Sequence, residues 1–443
     1  AGIEMEIVIT DIQANHPNTY RIILGNGEEA HTLVAISTGG GMIGVVSIDG
    51  SEVSMAGDFH ETLVFCKVNS TNPPEDGLYP YAVAQQLKSS FSYDELIWHD
   101  GDIPFFEIKS HQAPDPRLFE ELNSLEEVLS VKKLWPVLPV LSSKNTKIPF
   151  ITCQEMLDYN KGRQLELWEL AAEYESARGN ISKEEVVSKM TDIVHIMQHS
   201  IRTGLNGTFY EDRLLGSQSV HFKEQMENNK LVEGNVLNRI IMYVSAIMEV
   251  KSSMGVIVAA PTAGSCGALP GAVIGMGESL DLSEAMIVKA MLAAGILGVF
   301  ISEHATFAAE VGGCQAECGS GACMAAAAIV YLAGGSLAQS LSAASLALQN
   351  SLGMICDPIA NRVEAPCLGK NVLAASNALS CANMALANYD HLIPLDEVIE
   401  TMDKVGHSIP HTLRCTTLGG LSITRTAKEL EAKLENVSFF KSC

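Results

Sequence analysis

The spacing of hydrophobic and polar residues divides the chain into regions of different character. In residues 1–58, four short runs rich in β-branched residues alternate with turn sequences that contain Gly, Asn and Pro, which is typical of β-strands. The runs are EMEIVIT, YRIILG, HTLVAIS and IGVVSI, and the first predicts a strand at Ile7–Thr10. No helical pattern precedes that strand, so we interpret residues 1–58 as a partial α/β domain.

Residues 59–140 follow a second pattern, in which strands and helices alternate. The predicted elements are strand Thr62–Val68, helix Tyr79–Ser89, strand Asp94–His99, strand Pro104–Ser110, helix Pro116–Ser124 and strand Val131–Leu138. Pro136 cannot donate a backbone hydrogen bond, which limits the last strand to an edge of its sheet. The order βαββαβ is that of ferredoxin-like modules. Regulatory modules of this shape commonly bind small ligands, although a fold alone does not establish binding.

A polar linker at Leu141–Pro149 precedes a region with helical periodicity, residues 150–443. Amphipathic helices are predicted at Gln164–Arg178, Lys183–Thr203 and Asn235–Lys251. Four later segments are rich in Ala, Leu, Met and Ser on nearly all faces: Ser283–Phe300, Ala322–Leu332, Leu337–Ser351 and Val372–Ala387. Helices of that kind lie inside a bundle. We therefore expect a multidomain protein whose largest domain is mainly α-helical with buried central helices.

Composition and charge exclude several classes of function. The chain has 443 residues and a net charge of −23, which opposes binding to nucleic acid or to an anionic membrane surface. Its apolar stretches Val256–Met276 and Met291–Ile301 are interrupted by proline or too short to cross a bilayer. The eleven cysteines are dispersed and odd in number, and we find no secretory signal. We therefore expect a cytoplasmic protein whose thiols are available to a metal.

Three cysteines in the C-terminal half lie in turns rich in Gly and Pro. Cys314, Cys356 and Cys367 occur in the sequences EVGGCQAE, MICDPIAN and EAPCLGK. A cluster held by three cysteines leaves one iron without a protein ligand, and that iron is a Lewis acid able to bind a substrate hydroxyl. Alternatively, each cysteine is simply a buried small hydrophobic residue, which is the commoner role of a single free cysteine.

A rival set of three cysteines is closer together in sequence. Cys314 and Cys318 would share one face if their segment were helical, and Cys323 follows five residues later. Cys323, however, opens an Ala-rich run, where burial in a helix accounts for it. We prefer the dispersed set, although spacing alone does not decide between the two.

The loop Ala260–Gly271, APTAGSCGALPG, combines Gly, Ser, Thr and Pro. Such loops present backbone N–H groups to a carboxylate, and Thr262 and Ser265 add hydroxyl donors. The alternative is a kink between two apolar helices. The segment Ser37–Gly41, STGGG, is a weaker example, since a tight turn between strands explains it equally well.

Histidines are the obvious candidates for acid–base chemistry, but they are scarce. In the helical domain the candidates are His304, His407 and His411, and in the N-terminal region they are His16 and His31. Taken singly, each is more often a structural or surface residue. The sequence contains no Walker loop, no GxGxxG after a strand and no HExxH motif.

The motifs that contain these residues resemble those of the iron–sulfur-dependent L-serine dehydratases, also called L-serine ammonia-lyases. The matching motifs in the helical domain are APTAGSCGALPG (260–271), EVGGCQAECGSGACMAAAA (310–328), CDPIANRVEAPC (356–367) and LRCTTLGGLS (413–422). HPNT (16–19) and STGGG (37–41) are similar to the β-type domain of that family, and residues 59–140 resemble the ACT-like module of some members. The resemblance covers essentially the whole chain.

The resemblance implies a cofactor, a reaction and an assembly. It makes Cys314, Cys356 and Cys367 the ligands of a [4Fe–4S] cluster and places the substrate, a small amino acid, beside Thr262, Ala263, Gly264 and Ser265. It further implies an all-α catalytic domain, a homodimer, and the dehydration of L-serine followed by release of pyruvate and ammonia. His304 is our candidate for the base that removes the α-proton, and the alternative is a base supplied by the missing segment of a partner chain. Thr262, Ser265 and the backbone amides of the loop are our choice for the substrate carboxylate.

The chain departs from the family pattern in two places. A Ser-rich segment that precedes HPNT in the family is missing here, so we expect either a truncated chain or a second chain that supplies the segment. The extra glycine before Cys314 and the pair Lys370-Asn371 are variant, which makes the substrate less certain than the reaction type. Threonine, cysteine and another hydroxy acid are alternative substrates, and an inactive amino-acid-binding regulator is the alternative to an enzyme. The final residue, Cys443, could cap the open iron or belong to a disordered end.

Overall fold

The computed structural model describes residues 18–27, 29–39, 41–67, 80–90, 92–142, 146–210 and 213–439, together with residues 6, 8, 14 and 16. Two compact units account for the chain: residues 1–38 with 42–141, and residues 39–41 with 142–443. The division near residue 141 coincides with the start of the predicted linker. The three domains 1–58, 59–140 and 150–443 stay a prediction. The predicted strand Ile7–Thr10 and Cys443 lie outside the described residues.

The first unit contains a four-stranded sheet with the order β1-β2-β3-β4. Its strands are β1 Thr19–Gly25, β2 Ala30–Gly39, β3 Met42–Ile48 and β4 Ser51–Met55. The pattern of hydrophobic residues did not predict β4. Its signal is the two-residue turn Asp49-Gly50, in which both residues have positive φ (46° and 80°), the conformation that a tight hairpin requires.

A second sheet in the same unit has the order β6-β7-β5-β8. Its elements in chain order are β5 His60–Cys66, α1 Tyr81–Ser90, β6 Glu95–His99, β7 Phe105–Ser110, α2 Pro116–Asn123 and β8 Val128–Leu134. The order of strands and helices agrees with the predicted βαββαβ pattern. Strand β8 lies at an edge and ends two residues before Pro136, because proline cannot continue the hydrogen-bonded ladder.

The two faces of this second sheet differ in chemistry. One face packs Val64, Phe106 and Ile108 into an apolar core with residues of α1 and α2. The other face buries Lys109, whose Nζ lies 3.0 Å from a Glu61 oxygen and 2.9 Å from a Glu107 oxygen. A buried charge is tolerated only when it is paired. Nothing in the strand pattern predicted this network.

The second unit is built from helices. Their bounds are α3 Cys153–Asn160, α4 Leu167–Gly179, α5 Lys183–Leu205, α6 Gln218–Glu227, α7 Asn235–Ser252, α8 Ala268–Ser279, α9 Glu284–His304, α10 Ala309–Gly312, α11 Ser320–Leu332, α12 Leu337–Gln349, α13 Cys367–Leu386, α14 Leu395–Ser408 and α15 Arg425–Phe439. The mainly α-helical character predicted for residues 150–443 is confirmed. Helix α5 begins after Ser182, whose side chain accepts from the Glu185 N–H and so caps the helix.

The Ala-rich helices lie in the centre of this unit, as their composition predicted. Helix α11 packs against α8, α9, α12 and α13, and nearly all of its residues are buried. Among the described residues, α9 alone is long and apolar enough to cross a membrane by composition. Most of its apolar window, 67%, is buried inside the unit, which is what a core helix of a helical bundle shows.

Two boundaries near the cysteines differ from the prediction. The helix predicted at Ser283–Phe300 continues to His304, and the short helix α10 follows it. Helix α13 begins five residues earlier than predicted, so Cys367 is its first residue rather than part of a turn. Pro366 precedes it without disrupting the helix, because the first N–H groups of a helix have no partner inside the helix.

Candidate active site

Cys314 lies where the chain leaves α10 and enters a π-helical turn, Gln315–Gly319. Gly313 has a φ of 72°, and an added Cβ there would lie 2.9 Å from a backbone oxygen of a neighbouring turn, so the position requires glycine. The Gln315 side chain donates to the Met402 carbonyl at 2.8 Å and accepts from the Gly353 N–H at 2.8 Å. These contacts hold Cys314 in a buried position.

Cys356 lies in an extended segment that pairs with the C-terminal part of the chain. Its N–H donates to the Leu413 carbonyl at 2.9 Å, and its carbonyl accepts from the Cys415 N–H at 2.9 Å. The thiols of Cys356 and Cys415 are also hydrogen-bonded to each other. The next residue, Asp357, accepts from the Lys370 Nζ at 2.6 Å, which links this segment to α13.

Cys367 opens α13, and one turn later Asn371 joins that helix to the loop 260–271. The Asn371 side chain donates to the Gly264 carbonyl and to the Cys367 carbonyl, both at 2.9 Å. Its oxygen accepts from the N–H groups of Gly267, at 3.2 Å, and Ala268, at 3.0 Å. Asn371 is completely buried. The predicted substrate loop and one predicted metal ligand are therefore fixed by a single side chain.

The three predicted metal ligands influence one another electrostatically. The hydrogen bond with Cys415, followed by burial and by the charge of Cys314, raises the pKa of Cys356. Burial, followed by the charge of Cys314, raises the pKa of Cys367 to about 12, while Lys251 opposes that shift. Cys314 is thus close to both of the other cysteines, and the second unit brings three distant turns of the chain together.

The rival set Cys314, Cys318 and Cys323 is only partly brought together. Cys318 is hydrogen-bonded to Cys314, which together with burial raises the pKa of Cys318. Cys323 is buried within α11, and its electrostatic neighbours are Cys153 and Cys381. Burial in the core accounts for Cys323, as the Ala-rich pattern around it suggested.

In the loop 260–271, the structure turns the two predicted hydroxyl donors inward. Thr262 and Ser265 are 2% and 0% exposed, and their hydroxyl oxygens lie 3.0 Å apart. Ala263 is exposed and Gly264 partly exposed. Among the described residues, no hydrogen bond engages the backbone N–H groups of Ala263 and Gly264. The backbone N–H groups of Ala263 and Gly264 are therefore the donors of this loop that remain available to a ligand.

Glu317, which the sequence analysis did not single out, lies directly against this loop. Its carboxylate accepts from the Thr262 hydroxyl at 2.7 Å. Burial raises the pKa of Glu317 to about 7, although the bond from Thr262 opposes the shift. The side chain nevertheless remains partly exposed. A signal was present in the sequence, since Glu317 lies between two cysteines of the motif EVGGCQAECGSG, but only the fold places it beside residue 262.

Lys251, at the end of α7, adds a cationic group to the same region. Burial lowers its pKa, and its electrostatic neighbours include Cys367, Glu364 and Glu317. Its Nζ donates to the Val363 carbonyl at 2.5 Å. A cation here offsets part of the negative charge that thiolates and a carboxylate would otherwise concentrate.

The predicted histidine base makes no described contact with the cysteines or with the loop 260–271. His304 is the exposed last residue of α9, and its Nε2 lies 3.1 Å from the Ile151 carbonyl. His407 and His411 are exposed as well. In the first unit, His31 lies 2.7 Å from an Asp49 oxygen. No described contact joins His304 to the cysteines or to the loop, and its proposed role stays a prediction.

The donor set suits an iron–sulfur cluster better than a single metal ion. Within the described part of the chain, no group of three or more His, Cys, Asp or Glu side chains is arranged to hold one ion. A [4Fe–4S] cluster binds each cysteine through a different iron, so its ligands lie farther apart than those of one ion. Cys314, Cys356 and Cys367 are all buried free thiols, and Cys314 acts electrostatically on each of the other two. They fit such a cluster.

Comparison with known proteins identifies relatives of the helical unit. Residues 162–422 match the family model "Serine dehydratase alpha chain". The chain is 36% identical over 285 residues to a probable L-serine dehydratase alpha chain of Bacillus subtilis, covering 64% of this chain and 95% of the relative. It is 36% identical over 280 residues to the L-serine dehydratase alpha chain of Peptoniphilus asaccharolyticus, covering 63% of this chain and 96% of the relative. L-serine dehydratase 1 of Escherichia coli is 32% identical over 285 residues, and the match covers 62% of each chain.

Proposed function

The chain belongs to the serine dehydratase alpha chain family, and we propose that it catalyses the deamination of L-serine to pyruvate and ammonia. The observation that carries the proposal is the match over residues 162–422, which spans the cysteines, the loop 260–271 and Glu317 in one continuous region. The enzyme is then an L-serine ammonia-lyase, a carbon–oxygen lyase.

For the cofactor we propose a [4Fe–4S] cluster held by Cys314, Cys356 and Cys367. Their burial, their free thiols and the electrostatic influence of Cys314 on the other two cysteines support this assignment. When bound, a three-cysteine cluster supplies a Lewis acid for the substrate hydroxyl. The cations of Lys251 and Lys370 lie near the thiols and favour their deprotonated forms, which are the forms that bind iron.

We assign substrate binding to Thr262, Ala263, Gly264 and Ser265, with the backbone carrying most of the interaction. We expect the N–H groups of Ala263 and Gly264, which no described hydrogen bond engages, to donate to the substrate carboxylate. Thr262 and Ser265 support the loop from inside, because the Ser265 N–H donates to the Thr262 oxygen at 3.0 Å. The buried loop walls exclude water from one side of the bound amino acid.

We also propose an assembly in keeping with the relatives, whose names describe alpha chains. A homodimer is one arrangement, and a second chain that supplies the Ser-rich segment is another. Residues 59–140 form the proposed ACT-like module. The βαββαβ order of its elements and the sheet order β6-β7-β5-β8 support that proposal.

The proposed function is tested by anaerobic purification, reconstitution with iron and sulfide, and a pyruvate assay with L-serine. Threonine, cysteine and other hydroxy acids serve as comparison substrates. We expect pyruvate from L-serine at the highest kcat/KM, together with bound iron and inorganic sulfide. Changing each of Cys314, Cys356 and Cys367 to Ser in turn is expected to lower the iron content and abolish turnover, whereas Cys323→Ser serves as the buried control.

Two outcomes would contradict the proposal. Iron-loaded protein that forms no keto acid from any of these substrates would favour an amino-acid-binding regulator. Higher kcat/KM with threonine or cysteine would keep the reaction class and replace the substrate.

A further inference from the structure

Among the carboxylates near the cysteines, those of Asp357 and Glu364 accept hydrogen bonds from several donors. Asp357 accepts from the Lys370 Nζ at 2.6 Å and from the Leu421 N–H at 2.8 Å. Glu364 accepts from the Tyr210 hydroxyl and from two backbone N–H groups, those of residues 214 and 215, each at 3.1 Å. Both side chains are about 4% exposed. Both carboxylates tie segments of the chain together and are almost completely buried, which makes them poor candidates for contact with a substrate.

Glu317 differs from both in its contacts. The Thr262 hydroxyl, at 2.7 Å, is the single hydrogen-bond donor that reaches its carboxylate among the described residues. The side chain also keeps partial exposure. A carboxylate accepts up to about four hydrogen bonds, so Glu317 retains lone pairs for further donors.

Glu317 also lies in direct contact with the loop 260–271. A Cβ added at Gly264 would lie 2.5 Å and 2.7 Å from the two carboxylate oxygens, so the carboxylate rests directly against the backbone of that residue. Ala263 and Gly264 are the residues whose N–H groups we assign to the substrate carboxylate. A bound amino acid would therefore bring its Cα, one bond from its carboxylate carbon, close to Glu317.

Resting on the proposed function, we propose that Glu317 is the group that removes the α-proton of the substrate. The Glu317 carboxylate takes the proton from Cα, and the electron pair of the Cα–H bond forms the Cα=Cβ double bond. The Cβ–O bond breaks with its electron pair on oxygen, and the departing hydroxide gains a proton to become water. Serine thus loses one water and becomes 2-aminoacrylate, whose tautomer hydrolyses to pyruvate and ammonia. Glu317 returns to its starting form by releasing the proton.

The surroundings favour this role. Charged and titratable groups that act on Glu317 come from several elements. They are Lys251 on α7, Glu310 on α10, Lys370 on α13 and the thiols of Cys266, Cys318, Cys356, Cys367 and Cys415. Burial holds the pKa of Glu317 at about 7, close to the pH at which a general base works best. Thr262 fixes the orientation of the carboxylate without neutralising it.

The test compares Glu317→Gln with the wild type in the complete, cluster-loaded protein. Gln keeps the size and the bond from Thr262 but cannot accept a proton. We measure iron and sulfide content, turnover per cluster, and the change that L-serine produces in the absorption spectrum of the cluster. Glu303→Gln, an exposed acidic residue of α9, is the matched control.

We expect Glu317→Gln to bind serine, as judged by the spectral change, within about threefold of the wild-type concentration dependence, while kcat falls about 100-fold or more. Glu303→Gln is expected to behave as the wild type. A kcat within threefold of wild type in Glu317→Gln would overturn the proposal, and so would loss of the serine-dependent spectral change, because Glu317 would then act in binding.

Glu317→Asp covers the case in which the Gln variant holds less iron. This variant keeps a carboxylate that is shorter by one methylene, so reduced turnover per cluster with unchanged serine binding supports the proposal. Equal turnover per cluster overturns it. A wild-type protein that forms no pyruvate would overturn the proposed function, and the role of Glu317 with it. An active wild type with an equally active variant would overturn only the role of Glu317, so the two failures are distinguishable.

Discussion

Asn371 shows how much of the site depends on one side chain. Its amide group has donors and an acceptor, and the structure uses both kinds at once, toward the loop 260–271 and toward the first turn of α13. Neither a hydrophobic residue nor a carboxylate of the same shape provides that combination. The sequence analysis regarded residues 370 and 371 as variants, whereas the structure makes both of them links between segments of the site.

Asn371→Asp is expected to destabilise the second unit. The carboxylate can still accept from Gly267 and Ala268, but it cannot donate to the carbonyls of Gly264 and Cys367, so each carbonyl loses a hydrogen bond. The free energy of unfolding should fall by about 2–4 kcal/mol. Chemical denaturation followed by circular dichroism measures the change.

The matched control is Asn383→Asp, at an exposed position on the same helix. Its effect should stay within about 0.5 kcal/mol. Equal stabilities of the two variants would show that the amide of Asn371 does not hold the loop.

Gly264 is the second residue at which a small change tests the site. In Gly264→Ala, the new methyl group would occupy the space of the Glu317 carboxylate, which then has to move away from Thr262. We expect turnover per cluster to fall about tenfold or more, since misplacing a catalytic group by about 1 Å costs on the order of 100-fold. Pyruvate formation normalised to iron content measures the effect.

Gly295→Ala provides the comparison, because an added Cβ at that position in α9 meets nothing within 4 Å. Its turnover should match the wild type. If Gly264→Ala is as active as Gly295→Ala, the carboxylate of Glu317 has no fixed place in the reaction.

At the scale of the elements, composition predicted which segments form helices. It did not predict the geometry of the turns next to the cysteines. The Ala-rich runs predicted buried helices correctly, because a helix that is apolar on nearly all faces has to lie inside. The π-helical turn Gln315–Gly319 was not predicted. Such a turn has no local sequence rule and depends on tertiary contacts, here those of Gln315 with α14 and with Gly353.

The crossing of α5 and α7 is an element contact that requires glycine. A Cβ at Gly204 would lie 2.6 Å and 2.7 Å from the carbonyl carbon and Cα of Ala246, so the two helix backbones touch there. Gly204→Ala should force the helices apart and lower the free energy of unfolding by about 1–3 kcal/mol.

Gly295→Ala again serves as the control for that measurement. It lies in a helix with open space around it, so replacing glycine should raise stability by about 0.5–1 kcal/mol through the lower entropy of the unfolded chain. Opposite signs for the two glycines are the expected result. Stabilisation by Gly204→Ala would contradict the close contact of α5 with α7.

At the scale of the whole molecule, the family match and the contact pattern describe the same piece of chain. The match over residues 162–422 falls entirely within the second unit, and the first unit lies outside it. The alpha chains of Bacillus subtilis and Peptoniphilus asaccharolyticus are matched over 95% and 96% of their own lengths. The helical unit is therefore comparable to a complete polypeptide in those organisms.

Residues 142–443 expressed alone should therefore fold. We expect a single cooperative unfolding transition and, after anaerobic reconstitution, the same iron and sulfide content per chain as the full protein. Circular dichroism during denaturation and metal analysis test the two parts. A fragment that unfolds without cooperativity, beside a cooperative full-length control, would show that the first unit is needed for the helical fold.

Residue order alone was sufficient for the helical core and for the βαββαβ order of the second sheet, because both depend on periodicity. The ligand role of Cys314, Cys356 and Cys367 stays a prediction. The partners of those residues were decided by the tertiary structure. Glu317 reaches Thr262 across 55 positions, and Asn371 reaches Gly264 across 107. His304 was named for its chemistry, yet the fold places it at an exposed helix end. Contacts between residues so far apart in sequence form only when the buried helices pack. The local sequence pattern does not show which side chains will then be in contact.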